Sequence, residues 1–345
     1  MKKVGVCGHF GNSKNCLNGQ TIKTKIVTNE LINILGESDV YTLDTFNWKK
    51  NPIKLLIKCF SLFKKCKNII MLPAHNGVKV FSRLFLLINM FFRRKLHYIV
   101  IGGWLPEYLK SNPKTAKRLM KFDGIYVEVL SMKKALDAVG FTNTFVMPNC
   151  KKLDILAESE LCFYREPPYK LCTFSRVCRE KGIEVAVEAV KNINSKLGKT
   201  LYSLDIFGQI DSDYIARFEE LKVDFPDYIT YAGSVPFDCS VATLKNYFAL
   251  LFPTFYSGEG FAGTLLDAFA AGLPVVASDW KYNSEIVDET TGIIYPCERF
   301  ETLEEVLEYI AYKPDKLSLL KMNCIKQASC YLPEKVVGDF CESLG

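Results

Sequence analysis

The sequence predicts an α/β protein built as two Rossmann-like, doubly wound halves in tandem. Short, almost wholly apolar runs recur along the chain, as parallel strands covered on both faces do. Helical patterns of apolar residues separate these runs. At 345 residues the chain is long for one domain, and 49% apolar residues supply a substantial core.

The first half opens with the strand "KVGVCG" (3–8) and the loop "HFGNSKNCLNGQ" (9–20). A helix follows over 21–36, with Ile22, Ile26, Leu31 and Ile34 near helical spacing and Gly36 as its stop. Later strands are "DVYTLD" (39–44), "NIIMLP" (68–73), "HYIVIGG" (97–103), "GIYVEV" (124–129) and "NTFVMPN" (143–149). Residues 151–169 hold two adjacent prolines and no strong period, the mark of a connection. The second half alternates strand "KLCTFSR" (170–176), a helix over 182–198, and strands "YSLDIFG" (202–208) and "ITYAGSV" (229–235). Strand "FALLFP" (248–253), a helix from about Ala262 to Ala271 and strand "PVVAS" (274–278) complete it. Helical patterns at 303–312 and 333–345 close the chain. The expected domains are 1–152 and 153–330, with the helix of about 331–345 packing back on the first. Loops at the C-terminal strand ends of the two are expected to face each other across a cleft.

The opening apolar run is too short for a signal peptide and reads as a strand. The longest uncharged run, "LFLLINMFF" (84–92), falls short of the roughly 18–20 residues that span a bilayer. The expected location is therefore cytoplasmic. The 13 cysteines show no C-x-x-C spacing and read as small apolar fillers, so no metal site is expected. Charge is unevenly spread. Residues 1–150 carry 24 basic against 8 acidic residues, a balance of +16, while residues 151–345 carry 20 against 30, a balance of −10. So basic a front half points to an anionic partner.

The stretch "SGEGFAGTLLDAFAAGLPVVASD" (257–279) places Glu259 and Asp267 on either side of a helix start. That start leaves amides free and carries partial positive charge, which suits a phosphate, and Gly260 and Gly263 let a ligand approach the main chain. Acids beside a phosphate position can accept from hydroxyls attached to it, so the pattern fits a nucleotide sugar. The plainer reading, in which Glu259 complements the helix dipole and Asp267 lies on a solvated face, stays open on these residues alone. A second patch, "FSRVCREKG", puts Arg176 at a strand end and Lys181 near a helix start, where a fork and a point charge can neutralise a diphosphate.

In this order, "FSRVCREKG", "LDIFG", "ITYAGSV", "GEGFAGTLLDAFAAGLPVVASD", "NSEIV" and "TGIIYP" resemble the retaining glycosyltransferases of family 4, which have the GT-B fold. The likeness is specific over about 170–297 and looser before it, where "VMPN" (146–149) matches the family's exit into the second domain. The resemblance implies that Arg176 and Lys181 hold the donor's diphosphate and that Glu259 contacts sugar hydroxyls. Asp267 takes the place of the second acid of the family's E-x7-E motif and would hold the ribose. Amides at Phe261, Ala262 and Gly263 would meet the distal phosphate, with Gly208 and Val235 near the base. Gly19 matches the small residue that lets the first loop approach the diphosphate.

The chain departs from the family twice. The second acid is Asp rather than Glu, and Gly102 and Gly103 stand where the family has a histidine. His9 and His75, on strand-end loops, and Gly103 and Glu128 are further candidates, whereas His97 starts a strand and reads as structural. The resemblance implies transfer of a hexosyl residue, UDP-linked by family frequency, with retention and without a metal, since cations and a helix tip face the leaving diphosphate.

The acceptor is expected over the basic half. Residues 49–68 carry seven lysines and no acid. Ile53, Leu56, Ile57, Phe60 and Phe63 fall on one helical face, with Lys50, Lys54, Lys58 and Lys65 largely opposite. With "RLFLLINMFFRRK" (83–95) this suits an anionic membrane interface, or two helices packed on the sheet with solvated lysines. No nucleic-acid recognition motif accompanies the charge. The expected acceptor is a lipid-diphosphate-linked glycan in capsule or O-antigen assembly at the inner membrane face. A sugar-nucleotide epimerase of similar fold and a non-catalytic, membrane-associated nucleotide-binding protein are the alternatives.

Overall fold

A computed structural model describes residues 1–11, 19–164, 166–297 and 301–344. The chain divides into two compact units, Met1–Lys152 with Tyr331–Gly345, and Leu153–Cys330.

The first unit runs β1 (Lys2–Gly8), α1 (Gly19–Leu35), β2 (Val40–Asp44), α2 (Pro52–Lys65), β3 (Cys66–Met71) and α3 (His75–Phe92). It continues through β4 (Lys95–Ile99), α4 (Leu105–Ser111), α5 (Pro113–Leu119), β5 (Gly124–Val127), α6 (Leu130–Asp137) and β6 (Thr144–Val146). Its sheet is parallel throughout, in the order β2-β1-β3-β4-β5-β6. Consecutive residues such as Ile69 and Ile70 are both fully buried, so helices cover both faces and the strands read as unbroken apolar runs. Each such side chain contributes about 1.5–3 kcal/mol by leaving water.

The second unit runs β7 (Tyr169–Phe174), α7 (Ile183–Leu197), β8 (Tyr202–Phe207), α8 (Ile215–Val223), β9 (Ile229–Gly233), α9 (Ser240–Leu244) and β10 (Ala249–Phe252). It ends with α10 (Gly263–Ala270), β11 (Val275–Ser278), α11 (Asn283–Ile286), β12 (Gly292–Tyr295), α12 (Glu301–Tyr312) and α13 (Asp315–Ala328). This sheet is also parallel, in the order β12-β11-β10-β7-β8-β9. The strand order reverses between β7 and β10, and at such a switch point the loops diverge and leave room for a ligand. The last helix, α14 (Pro333–Glu342), returns to the first unit, where Val336, Val337 and Phe340 join its core.

Several local expectations need correction. Residues 153–164 do not hang between the units: the Leu156 amide donates to the Ala270 carbonyl at 2.9 Å, and Leu161 is buried beside Gly272. The face that α1 buries is largely polar (Thr21, Lys23, Thr24, Thr28), while Ile34 is exposed. On α2, Phe63 is fully buried with Leu55, Cys59 and Leu62, and does not share the outer face of Ile53 and Ile57. Strand β12 and helix α13 had no counterpart in the sequence reading. No helix among the described residues is long and apolar enough to cross a membrane.

Candidate functional site

β7 and β10 are neighbours in the sheet, so the loops leaving their C-terminal ends emerge side by side. After β7 the chain passes Arg176 and makes a single 3-10 turn over Arg179–Lys181. It enters α7 through Gly182, which has a left-handed φ of 71°. A Cβ added there would lie 2.0 Å from the Pro253 carbonyl oxygen, so only glycine lets the two loops approach this closely. The Phe255 amide donates to the Glu180 carbonyl at 2.8 Å, and Thr254 Oγ1 lies 3.3 Å from the same oxygen. Ser278 Oγ, at the end of β11, donates to the Thr254 carbonyl at 2.6 Å and fixes the β10 loop from its other side.

This stapling delivers Lys181 to Glu259. The ammonium lies 2.6 Å from Glu259 Oε2, which also accepts from Thr254 Oγ1 at 2.9 Å, and both charged side chains are about nine-tenths buried. Lys181 Nζ stands 5.2 Å from the Tyr256 ring centroid, and the Arg176 guanidinium stands 5.6 Å from the same ring. One aromatic ring therefore carries both cations, each attracted by its π face. Arg176 is half exposed and pairs with Asp211 through Nη1 at 2.7 Å. Burial works against its charge, but Asp211 outweighs it and holds the guanidinium pKa above its ordinary value. Arginine has five N–H donors, so a carboxylate on Nη1 leaves donors for an anion.

The helix tip belongs to the same cluster. α10 starts at Gly263 after an extended Ala262 that makes no side-chain cap. The Leu265 amide turns back on the Ala262 carbonyl at 3.1 Å, and the Gly263 and Thr264 amides at the tip lie ahead of any intrahelical acceptor. Thr264 Oγ1 donates to the Phe174 carbonyl, tying this turn to the last residue of β7, two positions before Arg176. Gly260 and Phe261 are buried beneath the tip, while Ala262 and Gly263 are half-buried. Asp267 is only 4% exposed and accepts from Ser240 Oγ at 2.6 Å. The solvated-face reading of Asp267 therefore fails. The dipole-complement reading of Glu259 is likewise incomplete, since its main partner is Lys181.

Gly208, after β8, has φ 137°, and a Cβ there would lie 1.7 Å from the Ser175 carbonyl oxygen. Its amide donates to the Gly233 carbonyl at 2.9 Å, so it packs the loops after β7, β8 and β9 together. Val235 is half-buried in the loop that follows β9. Asp211 and Thr254 are the polar partners that the sequence reading missed. Thr254 lies two residues past β10 and Asp211 four past β8, both among ordinary loop residues.

In the first unit, His9 follows β1, with Nδ1 2.7 Å from Thr21 Oγ1 and its ring edge-on to Phe46. His75 opens α3 and packs edge-on against Trp104 and Tyr108. Gly103 is buried in the loop after β4, and Gly19 opens α1 as an exposed residue. Glu128 is buried in an ion pair with Lys23 at 2.5 Å, and Lys23 also donates to the Val100 carbonyl at 3.3 Å. That pair ties α1 to the ends of β4 and β5. His97 is 3% exposed beside Asn68, and burial lowers its pKa to about 4.

Residues 168–311 match the family model described as "Glycosyl transferases group 1". This segment contains β7 through most of α12, including every residue of the second-unit cluster. A curated relative from Streptococcus gordonii is the "UDP-N-acetylglucosamine--peptide N-acetylglucosaminyltransferase GtfA subunit", 26% identical over 180 residues. The match takes in 51% of this chain and 34% of that relative, so the chain covers about a third of its length. Among solved structures, Anabaena HepE in complex with UDP-glucose superposes with a TM-score of 0.75 at 12% identity, over 100% of this chain and 99% of that one. Sucrose-phosphate synthase from Thermosynechococcus elongatus gives 0.74 at 14% identity, over 99% and 98%. The fold is GT-B.

Proposed function

We propose that the chain is a retaining glycosyltransferase that moves a hexosyl residue from a UDP-sugar to a hydroxyl of a lipid-linked oligosaccharide, in bacterial surface polysaccharide assembly at the inner membrane face. The observation that carries the donor half is the convergence of Arg176, Lys181 and the α10 tip at the β7–β10 switch point, sealed by the Thr264–Phe174 and Lys181–Glu259 contacts. The group 1 family match over 168–311 and the UDP-sugars named for the relatives support the same reading.

Breaking a sugar–phosphate bond builds negative charge on the leaving diphosphate. A transition state of that kind is stabilised by donors already fixed in place. Arg176 supplies a fork of N–H donors and Lys181 a compact charge. The first-turn amides of α10 and its dipole face the distal phosphate. Glu259, anchored on Lys181 and Thr254, offers its outer lone pairs to sugar hydroxyls. The test is a thermal-shift panel of UDP-, GDP- and ADP-sugars, followed by transfer assays with the best binder. A rise in melting temperature with UDP-sugars above the others is expected; a response to none of them would remove the donor assignment.

A further inference from the structure

α2 exposes an apolar face that a helix packed on a soluble sheet ordinarily hides. Its inner side buries Leu55, Cys59, Leu62 and Phe63, yet Ile53 and Ile57 remain 74% and 65% exposed, with Leu56 and Phe60 also in solvent. Phe60 meets Phe92 of α3 edge-on, at 6.2 Å between centroids. Beyond that contact α3 exposes Leu87, Met90 and Phe91, the last at 77%. Contiguous exposure of this kind marks an interaction surface.

The N-terminal end of α2 adds a second, independent feature. A cavity of about 280 Å³ is lined by Trp48, Lys50, Asn51, Lys54, Lys58 and others. The carboxylate that also lines it, Asp44, already accepts from the amides of Phe10 and Phe46 at 3.0 and 2.8 Å. Asn51 caps α2 without a side-chain hydrogen bond, and Pro52 follows at the first helical position. Three lysines and an uncapped helix start thus line one cavity, and on the same helix Ile53 and Ile57 alternate with Lys54 and Lys58.

We propose that this face docks on an anionic phospholipid bilayer, with the lysine-lined cavity taking a headgroup phosphate and the α2–α3 ridge entering the acyl boundary. Charge complementarity selects the bilayer over another protein surface. The apolar ridge calls for a hydrocarbon phase, and the basic rim calls for anionic headgroups. This deepens the membrane-side part of the proposed function but does not rest on the donor site, whose residues lie in the second unit.

The experiment is flotation of the full chain with vesicles of phosphatidylcholine alone and of phosphatidylcholine with phosphatidylglycerol, at low and high salt, with UDP binding measured in parallel. Binding is expected only to the phosphatidylglycerol vesicles and to weaken at high salt. The variant K50E/K54E/K58E is expected to lose vesicle affinity by at least about 100-fold. I57S/F91S is expected to lose it at either salt, and both variants should keep wild-type UDP binding. Equal flotation on neutral vesicles, wild-type flotation of the lysine variant, or concentration-dependent self-association abolished by I57S/F91S in place of vesicle binding would each overturn the proposal. Lost UDP binding in wild-type protein would strike the donor reading alone.

Discussion

Lys181 and Glu259 form a charge pair taken almost wholly out of water, and a buried pair of this kind rarely adds net stability. Its value lies in position, since it fixes a cation and an acceptor beside the same helix tip. Lys181→Met leaves Glu259 buried on the neutral Thr254 hydroxyl, without its cation. The single variant is therefore expected to lose about 3–5 kcal/mol of stability. The double variant Lys181→Met/Glu259→Gln removes both charges and should recover most of that loss in chemical denaturation. It should still transfer about 100- to 1000-fold more slowly, as when one donor to a developing anion is deleted. Wild-type transfer by the double variant would reduce the pair to a packing feature. These two residues were legible because the motifs around them place an acid before a helix and a lysine after a strand. Asp211 and Thr254 were not, because nothing in their local sequence distinguishes them from other loop residues. In the folded chain each of the two cations has a carboxylate of its own.

At the scale of elements, α10 is held at both ends. Its first turn is tied to β7 by Thr264, and past its C-terminus the Gly272 carbonyl lies 3.4 Å from Lys321 Nζ of α13, which also reaches the Tyr247 carbonyl at 3.3 Å. Lys321 is 1% exposed, and burial lowers its pKa from 10.5 to about 8. The unfolded chain keeps this proton up to about pH 10.5 while the native chain releases it near pH 8. Between those values the unfolded state binds more protons, so this residue makes stability rise with pH. Below pH 8 the native ammonium carries its full penalty, on the order of 3 kcal/mol. Lys321→Met should remove that component, so the wild-type-minus-variant stability difference, measured by denaturation from pH 7 to 10, is expected to climb with pH. A flat difference would show that the ammonium is solvated. The same lysine explains why α13 escaped the sequence reading, since a charge on its buried face interrupts the apolar period. The buried threonines and Lys23 of α1 misdirected the choice of face there in the same way. Strands β1, β3, β7 and β10 were legible because a parallel strand between two helical layers has no polar side to blur the pattern.

For the whole molecule, charge and chemistry are separated. The excess of basic residues lies in the first 150 positions, whereas Arg176, Lys181 and the α10 tip lie in the acidic remainder. In the proposed function, donor affinity therefore comes from local, fixed donors and not from net charge. Residues 78 positions apart, Lys181 and Glu259, meet because β7 and β10 are adjacent strands, and adjacency in a doubly wound sheet follows from topology rather than from any local pattern. The claim that these groups form one diphosphate site is tested most directly by calorimetric titration of the full chain with UDP and with uridine, for wild type and Arg176→Ala. UDP should bind at least about 100-fold more tightly than uridine in wild type, as two charge-assisted contacts supply. Arg176→Ala should lose most of that margin. Equal affinity for the two ligands, or an unchanged margin in the variant, would contradict the account.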